Sequence, residues 1–550
     1  MIGSDIVDDK LKVKIETSDK QILIESKKGQ NLLEILRANH IDIEAPCNGN
    51  GTCSKCRVYV RTNEDRNKSV LACQTRVEED MELILNCDSS KVLYRGLGSS
   101  NNKVLSDNLS IALDIGTTGI EMVLVDSKSG EEILKISETN PQKNYGLDVL
   151  SRISYCKENP KGLKNLNRLI VSKINEMVGA FGEDICSRIS LIVVAANCTM
   201  SHILMCESVD GLGRYPFTPE FKDTVLTKAT SLGIDNLKNA DLVLMPQVSA
   251  YVGGDIVSGL YSIGPIDVRK RYLFIDIGTN GEIALIDKGN IVTCSCAAGP
   301  ALEGMNISNG MRAEDGAIED VVVDKKNKSD SNIEIKSIGS QEIRGICGSG
   351  ILALVRELVR NGYVNKRGKL AKKEELEEDD PLIDHFESVG SEKRFYLDKD
   401  KDIYINQADI RAVQLAKGAI YSSLMMILKR QGLGVEDIDQ LLIAGQFGYH
   451  LPKESLVGLG IIDKEYEDKI TYLGNSSKNG ALKFIRVYYD KNKDTGKAST
   501  KYRKNILDKA SSDKLIDMID ELDRLASSID YFELANEERF DRAFAKAMTF

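Results

Sequence analysis

IALDIGTTGIEMVLVD, residues 111–126, returns with small changes as LFIDIGTNGEIALID at residues 273–287. Each copy is an apolar run ending in Asp-Ile-Gly-Thr, a turn that contains glycine, and a second apolar run. That pattern predicts a β-hairpin, and its return predicts an internal duplication. Backbone N–H groups around Gly116 and Gly278 can ring an anion, together with Thr117, Thr118, Thr279 and Asn280. Asp114 and Asp276, at the strand ends, can orient magnesium through its water shell. An ordinary pair of hairpins would also carry Gly and Asn in its turns. The acid repeated at each strand end is what favours phosphate chemistry. Neither a Walker A sequence nor a Gly-x-Gly-x-x-Gly after a strand competes for that role.

The surrounding chain sets bounds on this reading. At 550 residues it exceeds the roughly 250–300 at which single cores stop growing, so several domains are expected. A hydrophobic fraction of 42% with 28% charged residues is globular. A net charge of −10 argues against a broad nucleic-acid surface. The N-terminal MIGSDIVDDK has no signal-peptide core, and the longest apolar run, LIVVAANC, is too short to span a bilayer. These features predict a cytoplasmic protein with no membrane or nucleic-acid partner, whose 12 cysteines stay reduced.

Three of those cysteines crowd into APCNGNGTCSKC, residues 45–56. Cys47, Cys53 and Cys56, with the more distant Cys73, read as Cys, five residues, Cys, two residues, Cys, then a fourth Cys. A tight glycine-bearing loop with three thiolates and a neighbouring element with one can converge on a two-iron cluster. Zinc remains the alternative, although structural zinc sites usually pair two Cys-x-x-Cys knuckles and only one is present here. The spacing resembles plant-type [2Fe–2S] ferredoxins, whose first gap is four residues. LKVKIET, QILIESK, RVYV and MELIL read as short strands and NLLEILRANH as a helix, which predicts a compact α+β unit around the loop. Cys87 lies outside the pattern.

The order of motifs after residue 110 carries a second resemblance. The two hairpins enclose PQVSAYVGGDIVSGL (246–260) and are followed by LLIAGQFG (441–448) and NSSKNGALKFI (475–485). This sequence of phosphate-1 hairpin, connecting helix, phosphate-2 hairpin, adenosine loop and second connecting helix resembles the actin, sugar kinase and Hsp70 ATPase superfamily. The resemblance implies that Gly445 and Gly448 line the adenosine side, with Glu282 and Glu303 as lesser candidates for orienting water or magnesium. The expected fold is an α+β ferredoxin-like (β-grasp) N-terminal domain followed by a two-lobed α/β ATPase domain. Expected boundaries are 1–92 for the ferredoxin-like domain, 93–109 for a linker, 110–265 and 266–495 for lobes I and II, and 496–550 for a helical segment packed on the ATPase domain.

Joined to AANCTMSH (195–202), RYPFTPEF (214–221), AAGPALEG (297–304), ICGSGIL (346–352), NQADIRAVQLAKGAI (406–420) and ANEERFDRAFAKAM (535–548), this pairing resembles the reductive activators of corrinoid proteins. The resemblance implies a [2Fe–2S] cluster, ATP and Mg2+ as cofactors, and ATP-dependent return of a Co(II) corrinoid to Co(I) by single electrons. It also implies a corrinoid protein and an upstream electron donor as partners, and it leaves room for a homodimer through the ATPase domain. On this reading the ferredoxin module swings on residues 93–109. A small-molecule kinase with an attached ferredoxin and a nucleotide-gated redox sensor are the alternatives. The activators of 2-hydroxyacyl dehydratases place a cluster on cysteines of the ATPase core instead, but Cys294, Cys296 and Cys347 sit in small-residue contexts that predict packing. The four histidines share no metal-like spacing.

Overall fold

In the ATPase half, apolar runs without alternation form strands buried on both faces, as a sheet covered by helices on each side requires. The computed structural model describes residues 10–493 and 509–550, apart from 17–20, 40, 42, 44–55, 62–67, 85–105, 265, 326–331, 340–341 and 446–450. Lobe I has six strands in the order Glu131–Thr139, Gly119–Asp126, Leu109–Ile115, Ile189–Ala196, Asp241–Leu244, Val225–Lys228. Lobe II has Ile470–Gly474, Gln440–Ala444, Arg271–Ile277, Gly281–Asp287, Asn290–Cys296, Ile529–Tyr531. In each, a three-stranded antiparallel meander is extended by parallel strands from its first strand. The duplicated hairpins are therefore the visible part of two duplicated sheets.

The two sides of each sheet feed different cores, because alternate residues of a strand point to opposite faces. Ile111, Leu113 and Ile115 pack outward against the helix Gly162–Gly179, while Ala112 faces the layer between the lobes. In lobe II, Leu273, Ile275 and Ile277 face outward, and Tyr272 and Phe274 face that layer. The layer holds two helices that have exchanged places. Gly254–Ser262 follows lobe I in sequence but packs Ile256, Val257 and Leu260 beneath the lobe II sheet. Ser476–Lys493 follows lobe II but packs Ala481, Phe484, Ile485 and Tyr488 beneath lobe I.

These helices cross in close contact at two glycines. A Cβ on Gly480 would lie 1.9 Å from the Ser258 carbonyl oxygen, and one on Gly259 would lie 2.7 Å from Ser476 Oγ. Ser258 Oγ donates to the Ser477 carbonyl at 2.6 Å across the same crossing. The C-terminal segment spans both lobes as well. The helix Lys509–Ser528 sends Leu515, Met518 and Leu522 into the lobe I side of the layer, and Ile529–Tyr531 pairs in parallel with Asn290–Cys296 of lobe II. Asp523 accepts from both the amide and the hydroxyl of Thr224, at 2.8 and 2.7 Å. Helix Phe540–Ala547 then lies on Gln407–Arg430, where Lys417 Nζ donates to the Ala547 carbonyl at 2.8 Å.

The N-terminal unit is a five-stranded sheet in the order Gln21–Lys27, Lys10–Glu16, Met81–Ile84, Arg57–Val60, Lys68–Leu71. Its first and last strands run parallel, Val13 opposite Met81, as in a β-grasp. Helix Leu32–Ala38 covers it with Leu32, Leu33, Ile35 and Leu36, and Asn31 caps that helix by accepting from the amides of Leu33 and Glu34. The cysteine loop 45–55, including Cys47 and Cys53, lies outside the described residues, as do Cys87 and residues 93–105 of the expected linker. Ser106 is already tied to lobe I through Asp126, so the last residues of 93–109 belong to that lobe. Among the described residues no helix is long and apolar enough to cross a membrane.

The crossing makes one expectation concrete. Gly480→Ala should destabilise the chain by about 1–3 kcal/mol, the typical cost of overpacking, because the new methyl meets backbone. A chemical denaturation midpoint equal to that of wild type would show that the helices separate freely.

Candidate nucleotide and cluster sites

The phosphate-1 turn is built so that its carbonyls are occupied and its amides are not. Gly116 N–H closes the turn on the Gly119 carbonyl at 2.9 Å, leaving Thr117 and Thr118 at its tip. Asn140 Nδ2 donates to the Gly116 carbonyl at 2.8 Å, and Asn140 N–H donates to the Thr118 carbonyl at 2.9 Å. Arg152 Nη2 donates to the Thr117 carbonyl, and Arg312 Nη2 to the Thr118 carbonyl at 2.9 Å. Among the described residues the amides of Thr117 and Thr118 donate to no protein acceptor. Successive free amides backed by fixed carbonyls form an anion cradle.

The second turn faces the first. Thr118 Oγ1 and Thr279 Oγ1 are 3.2 Å apart, and Thr279 Oγ1 donates to Glu303 Oε1 at 2.8 Å. Gly278 N–H bonds the Asn280 carbonyl at 3.0 Å, which brings Asn280 into the same turn. The other Glu303 oxygen is buried without a hydrogen-bond partner among the described residues. Gly445 ends the strand Gln440–Ala444 with φ of +107°, where a Cβ would lie 2.5 Å from the Ile277 carbonyl oxygen and 2.8 Å from Asp276 Oδ1. It is thus pressed against the acid of the phosphate-2 hairpin. Gly448 lies outside the described residues.

Between the turns the cleft collects carboxylates. Asp114 accepts from Asn475 Nδ2 at 2.7 Å and from Ser477 Oγ at 2.8 Å, so the start of the second connecting helix holds the first hairpin's acid. Even so, burial pushes the Asp114 carboxyl up to about 6. Burial, then the charges of Asp255 and Asp114, pushes Asp276 up to about 8. Burial raises Asp255, Glu282 and Glu303 as well, with neighbouring carboxylates adding to the rise of the first two. Asp255, in the first turn of helix Gly254–Ser262, is the residue that sequence reasoning missed. Its signal was the pair Gly253-Gly254: a Cβ on Gly253 would lie 2.5 Å from the Cys198 amide nitrogen, a close approach that draws AANCTMSH and GGD together. The donor set consists of oxygens only, and burial disfavours the charged form of each carboxyl, with Lys478 acting on Asp114 and Arg312 on Glu303. No three His, Cys, Asp or Glu among the described residues stand close enough to ligate one metal ion directly. A cation here would be met through its waters.

The other sequence motifs converge on this cleft. Asn197 of AANCTMSH donates to Thr117 Oγ1 at 3.0 Å. Glu220 and Phe221 of RYPFTPEF pack on His202, whose Nε2 accepts the Glu220 amide at 3.0 Å and whose ring stacks on Phe221, a structural role. ICGSGIL lies under AAGPALEG, where a Cβ on Gly348 would meet the Leu302 carbonyl oxygen at 1.8 Å. Cys294 is fully buried, Cys296 Sγ donates to the Gly281 carbonyl, and Cys347 Sγ donates to that of Ile318. These three thiols are packing residues, as expected.

In the N-terminal unit the structure brings Cys56 and Cys73 together. The Cys73 amide lies 3.5 Å from Cys56 Sγ, and the Ala72 amide donates to the Cys56 carbonyl at 2.8 Å. Asn31 Nδ2 donates to the Cys73 carbonyl at 2.8 Å, which fixes that cysteine to the N-cap of the helix.

Comparison with known proteins agrees with both halves. Residues 15–78 match the 2Fe-2S iron-sulfur cluster binding domain, 109–265 the RACo middle region, and 270–503 the C-terminal domain of RACo, the ASKHA domain. The chain belongs to the RACo family. Corrinoid activation enzyme RamQ of Eubacterium limosum is 32% identical over 68% of this chain and 64% of its own, so the match spans somewhat under two thirds of that relative. A [Co(II) methylated amine-specific corrinoid protein] reductase of Methanosarcina barkeri is 26% identical over 67% of this chain and 68% of its own. The solved structure of a reductive activator for corrinoid,iron-sulfur protein superposes with a TM-score of 0.68, at 26% identity, over 98% of both chains. As a RACo-family member the protein has a ferredoxin-type domain of the class that binds a [2Fe–2S] cluster, and a nucleotide-binding ASKHA domain.

The raised carboxyls give a pH dependence whose sign is fixed. Asp276 keeps its proton in the folded chain up to about pH 8, whereas an unfolded aspartate loses it near about pH 4. The nucleotide-free fold therefore binds more protons than the unfolded chain, and its stability should fall as pH rises from about 4 through about 8. Asp276→Asn should flatten this dependence and raise the melting temperature at pH 8 above that of wild type. Calorimetry at pH 6 and pH 8 checks this, and an identical slope in the variant would contradict it.

Proposed function

We propose that the protein is an ATP-dependent reductive activator of a corrinoid methyl-transfer protein, passing single electrons to Co(II) to regenerate Co(I). The observation that carries the reading is the fusion itself: a ferredoxin-type domain joined to the RACo middle region and ASKHA domain on one chain, with its nucleotide cleft intact. The names of the relatives point the same way.

Cys47, Cys53, Cys56 and Cys73 are assigned as the cluster ligands, and the cluster supplies a one-electron couple. For each electron an upstream donor gives up one, and one cobalt centre goes from Co(II) to Co(I). Transfer to a couple of lower potential is uphill by about 2.3 kcal/mol per 100 mV, and ferredoxin clusters lie near about −400 mV. The ATPase half answers this by acting on the acceptor. Closure of the two lobes around nucleotide changes the surface offered to the partner and so biases the partner's cobalt ligation.

Within the cleft, Thr117 and Thr118 with their free amides hold phosphate oxygens, and Thr279 with Asn280 meets them from lobe II. Gly445 and Gly448 border the adenosine. Asp114 and Asp276 hold Mg2+ through its water shell and orient the attacking water, with Asp255, Glu282 and Glu303 behind them. Mg2+ supplies the positive charge that these carboxylates lack. Residence in the cytoplasm, with reduced thiols, and pairing of two ATPase domains complete the reading.

The test is an anaerobic assay that follows the Co(II)-to-Co(I) spectral change of candidate corrinoid proteins, with reduced activator, with and without ATP. An ATP-dependent increase in rate or extent is expected. ATP-dependent phosphorylation of a metabolite without any effect on cobalt would favour a kinase instead. Asp276→Asn should slow hydrolysis by about 100-fold while changing nucleotide affinity far less, since its charge matters most as phosphoryl charge redistributes. Cys56→Ser should remove most of the visible iron–sulfur absorption, whereas zinc at unit stoichiometry without iron in anaerobic preparations would overturn the cluster assignment.

A further inference from the structure

The loop Asn140–Gly146 of lobe I touches two functional units at once. At one face it grips the phosphate-1 turn: Asn140 holds the Gly116 and Thr118 carbonyls, and Arg152 holds the Thr117 carbonyl while its Nε donates to the loop's last carbonyl, Gly146, at 3.0 Å. At the other face it receives the ferredoxin domain. Arg37, in the last turn of helix Leu32–Ala38, donates to the Asn144 carbonyl and lays its guanidinium 4.8 Å from the centroid of the Tyr145 ring. Tyr145 is braced by Tyr155, with ring centroids 4.8 Å apart. At the opposite end of the same helix, Asn31 holds the Cys73 carbonyl.

We propose that Asn140–Gly146 is the docking site of the chain's own ferredoxin domain, and that phosphate at the Thr117–Thr118 turn tightens this docking. The inference rests on reading that turn as the phosphate site. Its sign follows from the peptide groups. When the Thr117 amide donates to a phosphate oxygen, the carbonyl of the same peptide group, Gly116, becomes a stronger acceptor for Asn140. The Thr118 amide does the same for the Thr117 carbonyl and Arg152. Both ends of the loop are thereby held more firmly, and between them lie Asn144 and Tyr145. Arg152 adds charge to this coupling. It is fully buried, and it donates to neutral acceptors: the Gly146 and Thr117 carbonyls, Gln142 Oε1 and Met200 Sδ. The Asp148 carboxylate offsets part of its charge, and an anion on the far side of the turn adds to that offset.

Coupling of this kind is reciprocal. Removing the clamp must weaken nucleotide binding by the same factor that nucleotide strengthens docking. The experiment compares wild type, Arg37→Ala and Tyr145→Leu, one variant on each side of the contact, all with cluster absorption intact. Affinity for a fluorescent ATP analogue with Mg2+ is measured, and amide hydrogen exchange of residues 32–39 and 141–147 is followed with and without a non-hydrolysable ATP analogue. In wild type the analogue should slow exchange in both segments. In either variant the nucleotide affinity should fall by about fivefold, at the low end of measured couplings, and residues 32–39 should no longer respond. Unchanged or tighter nucleotide binding in both variants, with wild type binding normally, would overturn the inference. Absence of nucleotide binding by wild type would overturn the phosphate reading, and this inference with it.

Discussion

Five carboxyl groups confined between two lobes, where burial opposes their ionisation, are the constraint on which the rest of the molecule turns. Asp114, Asp255, Asp276, Glu282 and Glu303 occupy one cleft, and burial raises the carboxyl group of each. A protein selected for stability alone would not gather them. The surrounding structure keeps them there at a cost to the empty fold: Asn475 and Ser477 bind Asp114 from the second connecting helix, and Gly445 gives up a side chain so that its backbone can press on Asp276. On the proposed reading, a cation and phosphate would compensate this cost, and part of their binding energy would go into closing the lobes.

The exchanged helices explain why such closure travels. Gly254–Ser262 carries Asp255 and lies beneath lobe II, whereas Ser476–Lys493 begins at the residues that grip Asp114 and lies beneath lobe I. Lobe I's acid Asp114 is therefore held by an element that lobe II's chain supplies, while lobe I's chain carries Asp255 beneath lobe II. A shift in the cleft cannot stay within one lobe. Their close crossing at Gly259 and Gly480 leaves little space to absorb the shift by side-chain rearrangement.

Much of this was legible in the sequence, and the parts that were not share a physical reason. Asp-Ile-Gly-Thr repeated at residues 114–117 and 276–279 revealed both hairpins, because a turn and its strands are encoded by neighbours in sequence. Cys56 and Cys73 were identified by spacing, and the structure brings them together. Thr118 and Thr279, one from each hairpin turn, lie in contact across the cleft. Asp255 was hidden because an acid at a helix start normally serves the helix dipole, and only tertiary contact shows that it faces other acids. Asn140 and Arg152 were invisible for a related cause: they act on carbonyls 24 and 35 residues away, and carbonyls carry no sequence signature. The exchange of the connecting helices was unreadable because an apolar stripe says that a helix packs, not on which sheet.

The C-terminal segment gives the two lobes a common fate. Its helix Lys509–Ser528 fills the core beneath the lobe I sheet, and the strand that follows completes the edge of the lobe II sheet. Both lobes therefore depend on residues 509–531 for contacts that complete them. Until this segment packs, the Asn290–Cys296 edge is unpaired on one side and the helix Ser476–Lys493 beneath lobe I lacks the cover of Leu515, Met518 and Leu522. Assembly of the ATPase half thus waits on residues 509–531, and an open strand edge of that kind is what chaperones bind and what aggregates form from.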